Sequence, residues 1–125
     1  MKSSIDDTKP IYIQIAEIIE DEILEGNLKD DEQVMSTNEL AQIYRINPAT
    51  ARQGVNLLVD EGIIYKQRGI GMFVAQGARK MIINKRKKEF HNQYIPELFA
   101  EASKLNISKK ELLEMVKNYK GGQDQ

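Results

Sequence analysis

The sequence has no cysteine and one histidine, so disulfides, thiol nucleophiles, thiolate metal sites and an ordinary zinc centre all lack the side chains they need. Aromatic residues make up only 6% of the chain. No stretch approaches the roughly 18 consecutive apolar residues of a membrane span. Met1 to Lys9 lacks a positive stretch followed by an apolar one, so no secretory signal is expected and the reading is a cytoplasmic protein with no membrane partner. No Ser/His/Asp set, metal cluster or close carboxylate pair emerges, and Asp30-Asp31-Glu32 reads as a polar loop. The expectation is therefore a protein that is not an enzyme and carries no cofactor or metal.

What is present is the profile of a soluble chain about one domain long: 125 residues, 41% hydrophobic and 30% charged. The net charge of −1 hides a split. Asp6 to Glu39 holds eleven acids against Lys9 and Lys29, whereas Arg45 to Lys88 holds ten bases against Asp60 and Glu61. A chain that is neutral overall but locally basic can meet a polyanion with one face, although a solvated surface gives similar counts.

Apolar residues at helical spacing, Ile11, Ile15, Ile18, Ile19 and Ile23, predict a first helix over 11–25, with Pro10 suited to its first turn and Gly26 to its end. Asn27 to Gln33 reads as a polar turn. Ser36 and Glu39 form a capping box that opens a second helix reaching about Tyr44. After a short connection, Asn47 and Pro48 repeat the start signal for a third helix. Its apolar side carries Ala51, Val55, Leu58 and Val59, and its other side Ala49, Arg52, Gln53 and Asn56. Residues 63–67 and 72–75 then read as strands of a hairpin whose tip, Arg68-Gly69-Ile70-Gly71, is basic. That tip lacks the lysine and Ser/Thr of a nucleotide cradle.

Gln76 to Lys80 has the composition of a linker. Beyond it, the basic run Lys85-Arg86-Lys87-Lys88 reads as a solvated helix start with a role on a phosphate backbone left open. It leads into a fourth helix with Phe90, Tyr94, Leu98 and Phe99 on a stripe, and Pro96 predicts a kink near Tyr94 or two shorter helices. His91, beside Phe90 and Asn92, reads as a surface residue and not a ligand. Ser108 and Glu111 cap a fifth helix bearing Leu112, Leu113, Val116 and Tyr119, ended by Gly121-Gly122.

Two short helices joined tightly, the second presenting small, amide and guanidinium side chains, have the shape that enters a DNA major groove. Short residues are needed at the N-terminal turn, so that backbone amides and the helix dipole approach phosphate, and longer donors one turn later to reach base edges. Asn47, Ala49 and Thr50 meet the first need, and Arg52, Gln53 and Asn56 the second. Lys66 and Arg68 on the hairpin would lie against flanking backbone or minor groove, making the hairpin a wing.

Residues 10–74 resemble the GntR family of bacterial transcription regulators, with an N-terminal winged helix-turn-helix. The resemblance is carried by Pro10-Ile11-Tyr12-Ile13-Gln14-Ile15, Ile23-Leu24-Glu25-Gly26-Asn27-Leu28, Ser36-Thr37-Asn38-Glu39-Leu40-Ala41, Asn47-Pro48-Ala49-Thr50-Ala51-Arg52, Leu58-Val59-Asp60-Glu61-Gly62 and Arg68-Gly69-Ile70-Gly71-Met72-Phe73-Val74. The Asn47-Pro48 start and short tail are most similar to the YtrA-like subfamily, whose tail is a helical pair used for dimerisation. The resemblance implies phosphate and base contacts from Ser36, Asn47, Ala49, Thr50, Arg52 and Arg68 to Gly71. Met35 and Asn38 stand where the family usually has proline and arginine, and Gln53 and Gly54 where arginine and alanine are common. Asn38 puts a neutral, shorter side chain where the resemblance implies a charged phosphate or base contact, and Gly54 inside a helix costs about 1 kcal/mol relative to alanine; these departures imply weaker DNA affinity or a different operator preference.

The expected fold is mainly α with a small β-hairpin: a winged helix-turn-helix over 8–76 and a helical dimerisation segment over 77–121. The tail stripes have too little to pack on, since a segment near 40 residues buries a small fraction of its surface. A symmetric homodimer is expected, with Phe90, Tyr94, Leu98, Phe99, Leu112 and Val116 at the interface, binding a palindromic double-stranded operator as a repressor. A winged-helix module that binds protein, and a ligand sensor with its site at the dimer interface, stay open beside this reading.

Overall fold

The computed structural model of the chain describes residues 4–121. Its elements run α1 (Ile11–Leu24), α2 (Thr37–Tyr44), α3 (Pro48–Asp60), β1 (Ile64–Gln67), β2 (Gly71–Val74), α4 (Ala78–Lys104) and α5 (Lys109–Asn118). The architecture is mainly α with one antiparallel hairpin, an N-terminal winged helix-turn-helix followed by a helical segment. Contacts divide the chain into one compact unit through Lys85 and a second from Arg86. No helix among the described residues is long and apolar enough to cross a membrane.

The isoleucine stripe of α1 forms the floor of the first unit: Ile15, Ile18, Ile19 and Ile23 are buried against Leu40 and Ala41 of α2 and Ala51, Val55 and Leu58 of α3. Burying such a side chain contributes about 1.5–3 kcal/mol, which is how an α2 of only 8 residues holds its shape. Ile63, Ile64 and Val74 close the core from the hairpin side. Pro10 is the cap residue of α1 and not part of its first turn; its carbonyl accepts from the amides of Ile13 and Gln14. The buried Gln14 amide pins the preceding segment, its Nε2 donating to the carbonyls of Asp6 and Lys9 while its Oε1 accepts from the Asp6 amide.

The structure corrects several sequence expectations. Gln76 to Lys80 is no linker: α4 begins at Ala78, and Ala78 and Ile82 are both 0% exposed within the core of the first unit. Their small and apolar character was legible, but two buried residues one turn apart are too little to reveal a period. The two compact units divide within α4, after residue 85. Nor is the basic run simply solvated. Lys85 Nζ donates to Glu20 Oε2 at 2.6 Å and Glu61 Oε1 at 2.8 Å, tying α1, the end of α3 and α4 together around a Glu20 that is 1% exposed. Desolvation pulls the Lys85 ammonium down, but the hydrogen bonds to Glu20 and Glu61 outweigh it and hold its pKa above the ordinary lysine value.

The stretch read as a polar turn ends in a strand-like segment. The Asp31 amide donates to the Val74 carbonyl, the Val74 amide to the Glu32 carbonyl and the Val34 amide to the Met72 carbonyl, at 2.7, 2.9 and 2.8 Å. Gln33 faces Phe73 in an antiparallel bridge. Gly54 is the further correction. A methyl group there would lie 2.6 Å from the Tyr12 carbonyl oxygen and 2.9 Å from Ile15 Cβ. Glycine therefore permits the close crossing of α1 and α3 and is not merely a lapse in helix propensity.

In the second unit, α4 stays one helix through Pro96 and is not two shorter ones. Proline removes the donor for the Asn92 carbonyl, and Asn92 is exposed, so water can supply the missing partner. The chain turns at Asn106, whose φ of 57° is left-handed, and the Ser108–Glu111 capping box opens α5. Leu112, at 8% exposed, is buried within this unit, as is Ala102, whereas Phe90, Tyr94, Leu98, Phe99 and Val116 are exposed. α5 ends at Asn118, ahead of the expected glycine stop, of which Gly122 lies outside the described residues.

Candidate nucleic-acid interface

α2 and α3 are joined by Arg45, Ile46 and Asn47, and the reversal is made at Arg45, whose φ of 55° and ψ of 51° are left-handed. The capping box at the start of α2 is complete. The Glu39 amide donates to Ser36 Oγ at 3.1 Å and the Ser36 amide to Glu39 Oε1 at 3.0 Å. Bonds from the Ser36 backbone, then its side chain, hold the Glu39 carboxyl below its ordinary pKa against a small opposing desolvation. The Ser36 amide and hydroxyl oxygen are thus engaged in the cap, while Asn38 is exposed beside it.

The start of α3 departs from expectation in one respect. Asn47 Oδ1 accepts from the Ala49 amide at 2.8 Å, and the Thr50 and Ala51 amides bond to the Asn47 carbonyl. The first amides are therefore engaged already. What this end offers an anion is the helix dipole and the Asn47 side-chain NH2, which no bond in the described residues uses. Ala49 is exposed and Thr50 half-buried.

Along α3 the two faces separate as the period requires: Ala51, Gly54, Val55 and Leu58 are buried, and Arg52, Gln53 and Asn56 are exposed. Ala49, Arg52, Gln53 and Asn56 share a shallow hollow of about 350 Å³ with Leu57, Asp60 and Tyr12 of α1. Tyr12 was not anticipated, because its place beside α3 depends on the close helix crossing at Gly54. No ion pair or hydrogen bond among the described residues engages the Arg52 guanidinium, and the same is true of Lys66 and Arg68.

β1 leaves α3 directly, the Ile63 amide bonding to the Leu58 carbonyl at 3.0 Å. Lys66 stands opposite Met72 on the hairpin and is exposed. A turn closed by the Ile70 amide on the Gln67 carbonyl, with Gly69 at a φ of 77°, lifts Arg68, Gly69 and Ile70 to an exposed tip. Ile70 is 63% exposed, and Gly71 is half-buried at the start of β2. Tyr65 and Phe73 stack at 5.8 Å on one side of the hairpin, and the Tyr65 hydroxyl donates to Asp31 at 2.8 Å. Hydrogen bonds from Gln76 and then Tyr65 hold the Asp31 carboxyl below its ordinary pKa.

A connected pair of helices with a braced hairpin after it, in this order and with these caps, has its counterpart among known proteins. Residues 11–74 match the profile of the bacterial regulatory proteins of the gntR family. The chain belongs to this family. The whole of α1, α2, α3, β1 and β2 lies inside the match. The similarity to gntR-family proteins also extends beyond it: the chain is 29% identical over 117 residues to the transcriptional repressor YtrA of Bacillus subtilis, covering 90% of this chain and 89% of YtrA. A GntR family regulator from Listeria monocytogenes superposes with a TM-score of 0.74 at 31% identity, covering 93% of this chain and all of that one. The DNA-binding domain of AraR, solved in complex with its operator ORE1, superposes with a TM-score of 0.53 at 30% identity over 60% of this chain and 94% of that domain.

Proposed function

We propose that this chain is a sequence-specific DNA-binding transcription regulator, a repressor that binds a palindromic operator as a homodimer. One observation carries the reading: α3 turns Arg52, Gln53 and Asn56 outward from a fully apolar buried side, and the Arg52 guanidinium forms no ion pair or hydrogen bond among the described residues. Such a flank matches base edges, since an arginine can pair in bidentate fashion with guanine and an amide with adenine. Asn47, Thr50, Ser36 and Asn38 lie at the helix starts, where contacts to phosphate set register without reading sequence. Lys66, Arg68, Gly69, Ile70 and Gly71 form the wing, whose cations gain most beside a narrow minor groove.

The operator complex of the AraR domain and the description of YtrA as a repressor support this reading by similarity. The homodimer rests on the exposed Phe90, Tyr94, Leu98, Phe99 and Val116, an apolar set large for a lone surface. Two α3 helices related by symmetry would meet two half-sites. The test is binding of the full chain to duplexes selected from a random pool. The expected result is a palindromic selected sequence and an affinity that falls steeply with salt, because neutralised phosphates release counterions. No binding to any duplex at low salt overturns the reading in favour of a protein-binding module.

A further inference from the structure

The wing is not a free hairpin. Gln33 Nε2 donates to the Ile70 carbonyl at 3.1 Å, across 37 residues of sequence. The same nitrogen lies 2.5 Å from where a side chain on Gly71 would begin, so the glutamine fills the space that this glycine leaves open. Its backbone is fixed by the bridge to Phe73 and by the flanking Asp31, Glu32 and Val34 bonds to β2. Two residues after Val34 comes Ser36, the cap of α2. One short segment therefore grips the wing along its length and ends in the first helix of the helix-turn-helix.

We propose that Gln33 is a positioning residue for DNA recognition: its side-chain amide locks the Arg68–Ile70 tip to the strand that leads into α2, so that wing and helices engage DNA as one preset surface. The proposal rests on the DNA-binding reading above. A two-stranded hairpin alone is marginally stable, and its tip would sample many positions. Ordering it on binding costs affinity that a braced tip does not lose. Arg68 and the apolar Ile70 then arrive at the flanking groove already placed.

The test uses Gln33→Met, which keeps length and neutrality and removes the donor. In DNA-free protein, amide order parameters of Gly69, Ile70 and Gly71 should fall relative to wild type while those of α3 hold; unchanged values at the tip overturn the brace. On a duplex selected from a random pool, Gln33→Met should weaken binding about threefold to tenfold, the worth of one ordinary hydrogen bond. Protection should be lost at the flanks and kept at the centre. In an Arg68→Ala/Ile70→Gly background, where the tip has nothing to deliver, the same change should cost nothing further; an equal loss there means that Gln33 acts through general stability, and overturns the positioning role. If wild type itself binds no duplex, the DNA-binding reading fails and the positioning role fails with it, whereas the order parameters still decide whether the brace exists.

Discussion

At the scale of single residues, Arg52 and Gly54 sit two positions apart on α3 and face opposite ways. Replacing Arg52 with alanine removes an exposed donor, so folding should be unaffected while affinity for the selected duplex drops by about 1–3 kcal/mol, with discrimination relaxed at one base pair. Titrations at matched salt measure this, and unchanged affinity counts against the contact. Gly54→Ala should do the reverse. Alanine gains about 1 kcal/mol in helix propensity, but overpacking costs about 1–3 kcal/mol, and here the obstacle is the Tyr12 backbone oxygen, which cannot rotate away. The expected net is a loss of stability, read as a lower urea midpoint; a midpoint at or above wild type would show that the helices can part at no cost. The exposed side of α3 was legible from periodicity because charge and size alternate with the helix turn. The role of Gly54 was not, since it depends on a residue 42 positions earlier and a sequence pattern carries no interhelical distance.

Elements tell the same story in terms of what is local. Both capping boxes, the Asn47–Pro48 start and the hairpin were legible because each is specified within about four residues by backbone hydrogen bonding. The strand-like run 31–34, the early start of α4 and the Lys85 bridge are set by partners dozens of residues away, and local composition points elsewhere. The α2 cap yields a pH prediction. Glu39 has a folded pKa below its ordinary value of 4.5, so its contribution to stability is present above that value and is lost as pH falls through the lower, folded one. Glu39→Gln keeps an acceptor for the Ser36 amide but cannot titrate. The stability difference between wild type and this variant should be constant near neutrality and shrink as pH drops below about 4.5, as measured by urea melts across acid pH. Ser36→Ala, which removes the cap oxygen, should cost about 1 kcal/mol at neutral pH. A difference between wild type and Glu39→Gln that stays constant down to the lowest pH would place the cap's stability in the neutral bonds alone.

For the whole molecule, the question is what the second unit is for. About 40 residues cannot enclose much of their own surface; Ala102 and Leu112 are buried there, while Phe90, Tyr94, Leu98, Phe99, Leu113, Val116 and Tyr119 are exposed. The stripe was visible in the sequence, but which of its members close the hairpin and which face outward depends on the turn at Asn106, and Leu112 is among those that are buried. Val116 is 69% exposed, which means an aspartate there meets water in the monomer and should leave the melting curve of the folded chain at low concentration nearly unchanged. In a dimer built on this stripe, the same carboxylate would be buried twice without a partner, which is costly. Val116→Asp and Leu98→Asp should therefore be monomers in sedimentation equilibrium where wild type is a dimer. Linking two binding modules raises avidity by about 10²–10⁴, so their affinity for a duplex carrying both half-sites should fall by that order, while affinity for an isolated half-site stays at the wild-type value. Variants that remain dimeric with full two-site affinity would move the subunit contact away from the tail, and the exposed stripe would then need another occupant.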